Sequence, residues 1–169
     1  NNSLLFDGVD DYGMLKVTEN NSFTLETRVK IVSLENSVNT TIIDNTSSDE
    51  LNDGMGQYVD KNENKFMTHV SIENSCCTVS ANSGVVLDNY YTVTTTYDEN
   101  SINLYINGEL VNTISKSKVY SSSTNLFKLA RLANGTDYSN IEFQNVLIYD
   151  RALTSDEVMR NYEVDMIKY

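Results

Sequence analysis

In the stretch SFTLETRVKI, residues 22–31, apolar side chains alternate with polar ones along the chain. Phe23, Leu25, Val29 and Ile31 fall on one face, while Thr24, Glu26, Arg28 and Lys30 fall on the other. A period of two is the signature of a β-strand with one buried face, and a helix cannot satisfy it. The same alternation, in segments rich in β-branched and aromatic residues, recurs at 40–44, 56–61, 66–73, 90–97, 102–107, 109–114, 126–132 and 141–149. Between INLYI and ELVNTI stands Asn107-Gly108, two residues that tolerate positive φ, as the type I′ turn of a tight hairpin requires. Helical spacing is confined to TSDEVMRNYEVDM, where Thr154 or Ser155 can cap the start and Val158, Met159, Tyr162 and Met166 share a stripe. Many short strands followed by one helix predict an all-β fold. It should be a two-sheet antiparallel sandwich, or jelly roll, with one short C-terminal helix, spanning 1–169 as one domain.

Composition narrows the partners. The chain has 169 residues, with 24 acidic against 12 basic side chains, a net charge of -12. Nucleic-acid affinity comes mainly from Lys and Arg displacing counterions, so no nucleic-acid partner is expected. Neutral glycans, cations and basic proteins remain. No run reaches the roughly 20 apolar residues of a membrane span, and no basic-then-apolar leader opens the chain. A start at Asn1 and an end just after a charged helical segment suggest a piece cut from a longer precursor. Cys76 and Cys77 are neighbours, which ordinary disulfide geometry does not join. One thiol buried and its neighbour exposed on the same strand is the simpler reading; a strained vicinal or an intermolecular disulfide is the other.

Catalysis is not expected. Jelly-roll glycosidases need paired carboxylates about 5 to 10 Å apart, and no strand carries a Glu-x-Asp-x-x-Glu arrangement. Glu26 and Glu142 read as solvated outer-face residues, and His69, the one histidine, as an ordinary strand residue.

Binding is better represented. In SLLFDGVDDYGMLKV, Asp7, Asp10 and Asp11 crowd into five residues around Gly8. Such carboxylates could hold Ca²⁺, which takes six to eight hard oxygens, in a structural role. The alternative is a polar turn in which Asp7 makes Asx-type bonds and the others face water. DKNENK, from Asp60, lacks the strict positions of an EF-hand and reads as a hairpin loop, and SSDELNDGMG, with Asp49, Glu50 and Asp53, as a turn. A sugar would need an aromatic platform beside amides and carboxylates. The loop LANGTDYSN offers Asn134, Asp137, Tyr138 and Asn140, with Tyr120 and Tyr58 as secondary candidates. Against each stands core packing for a strand tyrosine and ordinary turn chemistry for a polar loop.

Three blocks, LLFDGVDDYGMLK with SFTLETRVKI, YTVTTTYDENSINLYINGELV, and FQNVLIYDRALTSDEVMRNY, together resemble the concanavalin A-like, laminin G-like domains of bacterial, archaeal and phage surface proteins. The resemblance implies a jelly roll whose first and last strands pair and whose closing helix packs on the sandwich. That pairing would bring Gln144 to the acidic turn to complete a Ca²⁺ shell. It also implies a noncatalytic carbohydrate-binding or adhesion module, extracellular, cell-surface or virion-associated, with a surface glycan and other domains of a larger parent chain as partners. The alternative is a structural or protein-binding domain of a phage, virion or cell-surface assembly with no glycan ligand. Two departures stand out: Tyr90-Tyr91 where the family usually has Trp, and Gln144-Asn145 where it has an acidic pair.

Overall fold

The computed structural model describes residues 3–18, 20–34, 39–47, 52–118, 120–123, 126–133, 135 and 137–169. In chain order the first six strands are β1 (Leu4–Asp7), β2 (Gly13–Leu15), β3 (Phe23–Ile31), β4 (Asn39–Asp44), β5 (Met55–Asp60) and β6 (Lys65–Ile72). They are followed by β7 (Ser75–Gly84), β8 (Tyr90–Tyr97), β9 (Ser101–Ile106), β10 (Glu109–Ser115), β11 (Phe127–Leu129) and β12 (Asn140–Tyr149), and the helix α1 (Ser155–Lys168) closes the chain. Sheet A has the order β1-β12-β3-β8-β9-β10 and sheet B the order β2-β11-β4-β5-β6-β7. Every ladder is antiparallel.

The core fills the space between the sheets. Leu25, Val29 and Ile31 of β3, Val93 of β8, Leu104 of β9 and Ile141 of β12 meet Ile43, Val59, Phe66, Val70 and Val79 from sheet B, all buried. Each such side chain contributes about 1.5–3 kcal/mol by leaving water. Gln57 stands among them, its amide donating to the Leu25 and Val93 carbonyls at 3.0 and 3.2 Å.

The first strand lies against the last, with Phe6 opposite Ile141 and Asp7 opposite Asn140. The hairpin at Asn107-Gly108 forms with both residues at positive φ. The Thr154 hydroxyl accepts from the Glu157 amide and the Glu157 carboxylate accepts in return, a capping box that starts α1 one residue on.

Three expectations need correcting. Strand β7 was not among the predicted strands, because Cys77, Val79 and Ala81 make its buried stripe from small residues between Ser, Thr and Asn. Glu26 is not solvated: α1 covers that part of sheet A and leaves it 1% exposed. Glu142 is half-buried and ion-paired to Lys30.

Candidate functional site

Strand β1 ends at Asp7, and Gly8 turns the chain at φ +81°, so close to β12 that a Cβ there would lie 3.0 Å from the Asn140 nitrogen. The Val9 amide donates to Asp7 Oδ1 at 2.8 Å, which closes the Asx turn. Asp7, Asp10 and Asp11 are exposed, and one carboxylate oxygen from each lies within 4.8 Å of the other two. Two oxygens bound to one Ca²⁺ at about 2.4 Å can stand no more than about 4.8 Å apart, so the spacing meets the outer limit that sharing one ion sets. Backbone carbonyls of the turn and water would have to supply the remaining ligands.

Gln144 is not brought to this turn. The β1–β12 register sets Asp7 against Asn140, four positions earlier on β12 and about 13 Å away at the usual strand rise. A bulge between Phe143 and Asn145 turns Gln144 to the outer face of sheet A, where its Oε1 accepts from Arg28 Nε at 2.9 Å.

After the acidic turn the chain enters β2, and Gly13 packs against the Leu129 side chain of β11. This places the Tyr12 ring beside the loop that leaves β11. The Arg131 guanidinium lies 4.7 Å from the Tyr12 ring centre and 5.2 Å from that of Tyr138, and the two rings are 6.2 Å apart. Cation–π contact of this kind is worth about 0.5–1 kcal/mol at exposed sites. Arg131 Nε donates to the Gly135 carbonyl at 2.9 Å, and Arg131 and Tyr138 form an isolated antiparallel bridge. The loop then delivers Asn140 to the start of β12, opposite Asp7. Acidic turn and aromatic–guanidinium stack therefore share one end of the sandwich.

The loop is tied down from below. The Ala133 amide donates to Asp44 Oδ2 at 2.8 Å, and the Lys128 ammonium donates to the Ala133 carbonyl. Asp44 is buried, accepts from the Thr46 hydroxyl at 2.9 Å, and has His69 Nε2 at 3.3 Å. That approach is off the line of a hydrogen bond, and both His69 ring nitrogens are buried without one. Gly56 makes the approach possible, since a Cβ there would sit 2.5 Å from His69 Cε1 and 2.8 Å from Asp44 Oδ1.

Of the sugar-site candidates, Asp137, Tyr138 and Asn140 come together here, whereas Asn134 lies outside the described residues. Tyr120 does not belong: it is buried, with its ring 5.3 Å from Phe23. Tyr58 lies on the outer face of sheet B beside His69, ring centres 6.1 Å apart, and burial pushes its hydroxyl up to about 12. Cys77 is buried and Cys76 half-buried, both as free thiols. Sequence reasoning missed Tyr12 and Arg131. Tyr12 follows the acidic turn and does not read by itself as an aromatic platform, and Arg131 gains meaning only when the fold brings it against two rings remote from each other in sequence.

The sequence matches the profile of the concanavalin A-like lectin/glucanases superfamily over residues 7–159. No curated protein matches the chain in sequence. Among solved structures it is similar to the receptor binding domain of botulinum neurotoxin D, with TM-score 0.78 and 16% identity over 98% of this chain and 44% of that one. A heptameric SAP-like pentraxin from Limulus polyphemus aligns with TM-score 0.69 and 16% identity, covering 93% of this chain and 79% of the pentraxin. The Trypanosoma rangeli sialidase in complex with the inhibitor DANA aligns with TM-score 0.72 and 20% identity over 98% of this chain and only 28% of the enzyme. At these identities the likeness is one of fold.

Proposed function

Because the chain belongs to the concanavalin A-like lectin/glucanases superfamily, we propose that it is a noncatalytic carbohydrate-binding module of an extracellular, cell-surface or virion-associated protein. The ligand is taken at the end of the sandwich where the acidic turn meets the 131–140 loop. The observation that carries this reading is the Tyr12–Arg131–Tyr138 stack beside Asp137 and Asn140. Half-exposed rings suit the apolar face of a sugar, and amide, carboxylate and guanidinium groups suit its hydroxyl rim. A structural Ca²⁺ held by Asp7, Asp10 and Asp11 would neutralise the turn and stiffen it beside the loop. Among the described residues no helix is long and apolar enough to cross a membrane. The similarity to a receptor binding domain, that of botulinum neurotoxin D, is consistent with a recognition role.

A second reading, a protein-binding domain of a surface or virion assembly, draws on one observation. Leu4, Leu5 and Met14 are each more than half exposed along β1 and β2, one edge strand of each sheet. Apolar edges of this kind suit a partner strand.

A glycan array followed by calorimetry, with 2 mM Ca²⁺ or EDTA (roughly the range of weak extracellular sites), separates the readings. Binding that is lost in both Tyr138→Ala and Arg131→Ala supports the glycan site, and no glycan bound at millimolar concentration overturns it. For the metal, EDTA should lower the melting temperature and Ca²⁺ restore it, whereas an unchanged melting curve removes the ion.

A further inference from the structure

The outer face of sheet A beneath α1 is polar and yet closed to solvent. Glu26 of β3 stands between Leu147 of β12 and Thr94 of β8, and one register step along, Arg28 stands between Asn145 and Thr92. Helix α1 lays Asn161 and Asp165 over this patch. Asn145 Nδ2 donates to Asp165 Oδ1 at 3.3 Å, and Asn161 Nδ2 donates to the Tyr149 hydroxyl at 2.9 Å. Glu26 is 1% exposed and Asp165 3%.

The charges do not balance. Glu26 Oε2 accepts from the Thr94 hydroxyl at 2.9 Å, but Glu26 Oε1 and Asp165 Oδ2 are both buried without a hydrogen-bond partner. Arg28 gives its bonds to neutral acceptors: the Gln144 amide, the Thr92 hydroxyl and the Met166 sulfur. Two enclosed carboxylates thus face one guanidinium. A buried charge without a partner costs several kcal/mol, and a carboxyl so placed takes up a proton instead.

We propose that the interface between α1 and sheet A holds one proton, on the Glu26–Asp165 pair, and that drawing it off as pH rises toward neutrality loosens the helix from the sheet. The surrounding groups leave no other site for the charge. From β3 there is Arg28, always cationic. β8 offers the Thr92 and Thr94 hydroxyls and, beyond Arg28, Tyr90, whose ring centre lies 5.7 Å from the guanidinium and whose hydroxyl burial pushes up. β9 brings Tyr105, bonded to Ser155, and β12 brings Tyr149, whose hydroxyl burial pushes up. Helix α1 brings Asp165 itself, with Lys168 reaching it from the exposed last turn. Burial raises the Glu26 carboxyl from 4.5 to about 7, with the Thr94 hydroxyl and the nearby Asn161 amide opposing the rise and the Asp165 charge adding to it.

The sign follows from that rise. Below pH 4.5 Glu26 is protonated whether the helix is docked or not, so it imposes no penalty. As pH climbs from 4.5 to about 7, the undocked state ionises first and docking weakens. The full loss, reached above about 7, is roughly three-hundredfold in the docking equilibrium, at tenfold per pK unit.

The test is amide exchange of the intact chain between about pH 5.5 and 8.5, a window bracketing the neutral range, corrected for the chemical exchange rate. Protection of 155–168 should fall at least tenfold (about one pK unit) while β5 and β6 stay flat, and Glu26→Gln should abolish the difference. An equal loss in helix and strands, or an undiminished loss in Glu26→Gln, overturns the proposal. In the wild-type chain, the Glu26 carboxyl carbon should titrate by NMR near 7, whereas a midpoint near 4.5 is contrary to it. If Ca²⁺ or K⁺ added at fixed pH restores protection, a metal ion rather than a proton fills the patch, and the proposal fails.

Discussion

Gln57 occupies a place where an aliphatic side chain would seem to serve better. It is fully buried between the sheets, and each of its polar atoms is used. Its Nε2 reaches the Leu25 and Val93 carbonyls and the Thr95 hydroxyl, and its Oε1 accepts from the Thr27 hydroxyl at 2.8 Å. The chain of bonds continues from Thr95 to Thr68 and ends on the Gly56 carbonyl. One amide and three buried threonines therefore link strands of both sheets across a largely apolar core. Gln57→Leu keeps the volume but removes the acceptor from a buried hydroxyl, and leaving such a group unpaired costs about 1–3 kcal/mol. Urea unfolding should show that loss, and an unchanged midpoint would mean that the hydroxyls find other partners. Period-two reading placed Gln57 on a strand but could not show that its face was the buried one, because Gln is rarely found there.

Among the elements, β1 depends most on charge. It is a four-residue edge strand with Leu4 and Leu5 largely exposed, so apolar burial holds it only through Phe6. Glu142 of the neighbouring β12 supplies a clasp: it accepts from the Ser3 hydroxyl and from the Tyr90 hydroxyl and is ion-paired to Lys30. The Lys30 ammonium, with those two hydroxyls, holds the Glu142 carboxyl down at about 2, well below its usual 4.5. A depressed carboxyl contributes stability that is present above 4.5 and is lost as pH falls toward 2. Glu142→Gln should therefore lower the melting temperature at pH 7 and flatten its decline between pH 4.5 and 2. Parallel acid limbs in the two proteins would show that the clasp contributes nothing. The pairing of β1 with β12 was legible through the family resemblance of the two ends. The clasp was not, because Glu142 on its own strand looks like any outer-face acid.

At the scale of the whole molecule, both sheets share one core, and sheet A joins the two ends of the chain through β1 and β12. Nearly every ladder outside the hairpins needs strands distant in sequence, which makes folding slow, of the order of milliseconds to seconds. We expect the chain to unfold as one domain. With 11 tyrosines and no tryptophan, far-UV dichroism and tyrosine fluorescence report backbone and side chains separately. At pH 6 their urea transitions should coincide, and two resolved transitions would divide the chain. The net charge of -12 acts at this scale too, repelling polyanions and concentrating cations near the acidic turn.

The sequence by itself determined the strand character of most elements, the Asn107-Gly108 hairpin, the capped closing helix and the acidic turn. Each of these rests on interactions within a few residues: alternation, positive φ at a turn, a hydroxyl meeting an amide three positions on. Only the tertiary structure decided that Gln144 goes to Arg28 rather than to Asp7, that Arg131 packs against both Tyr12 and Tyr138, and that Glu26 is sealed under α1. Those outcomes depend on strand register, on one bulge, and on which sheet face a helix covers. A one-residue shift in any of them moves a side chain to the opposite face, and no local pattern encodes that choice.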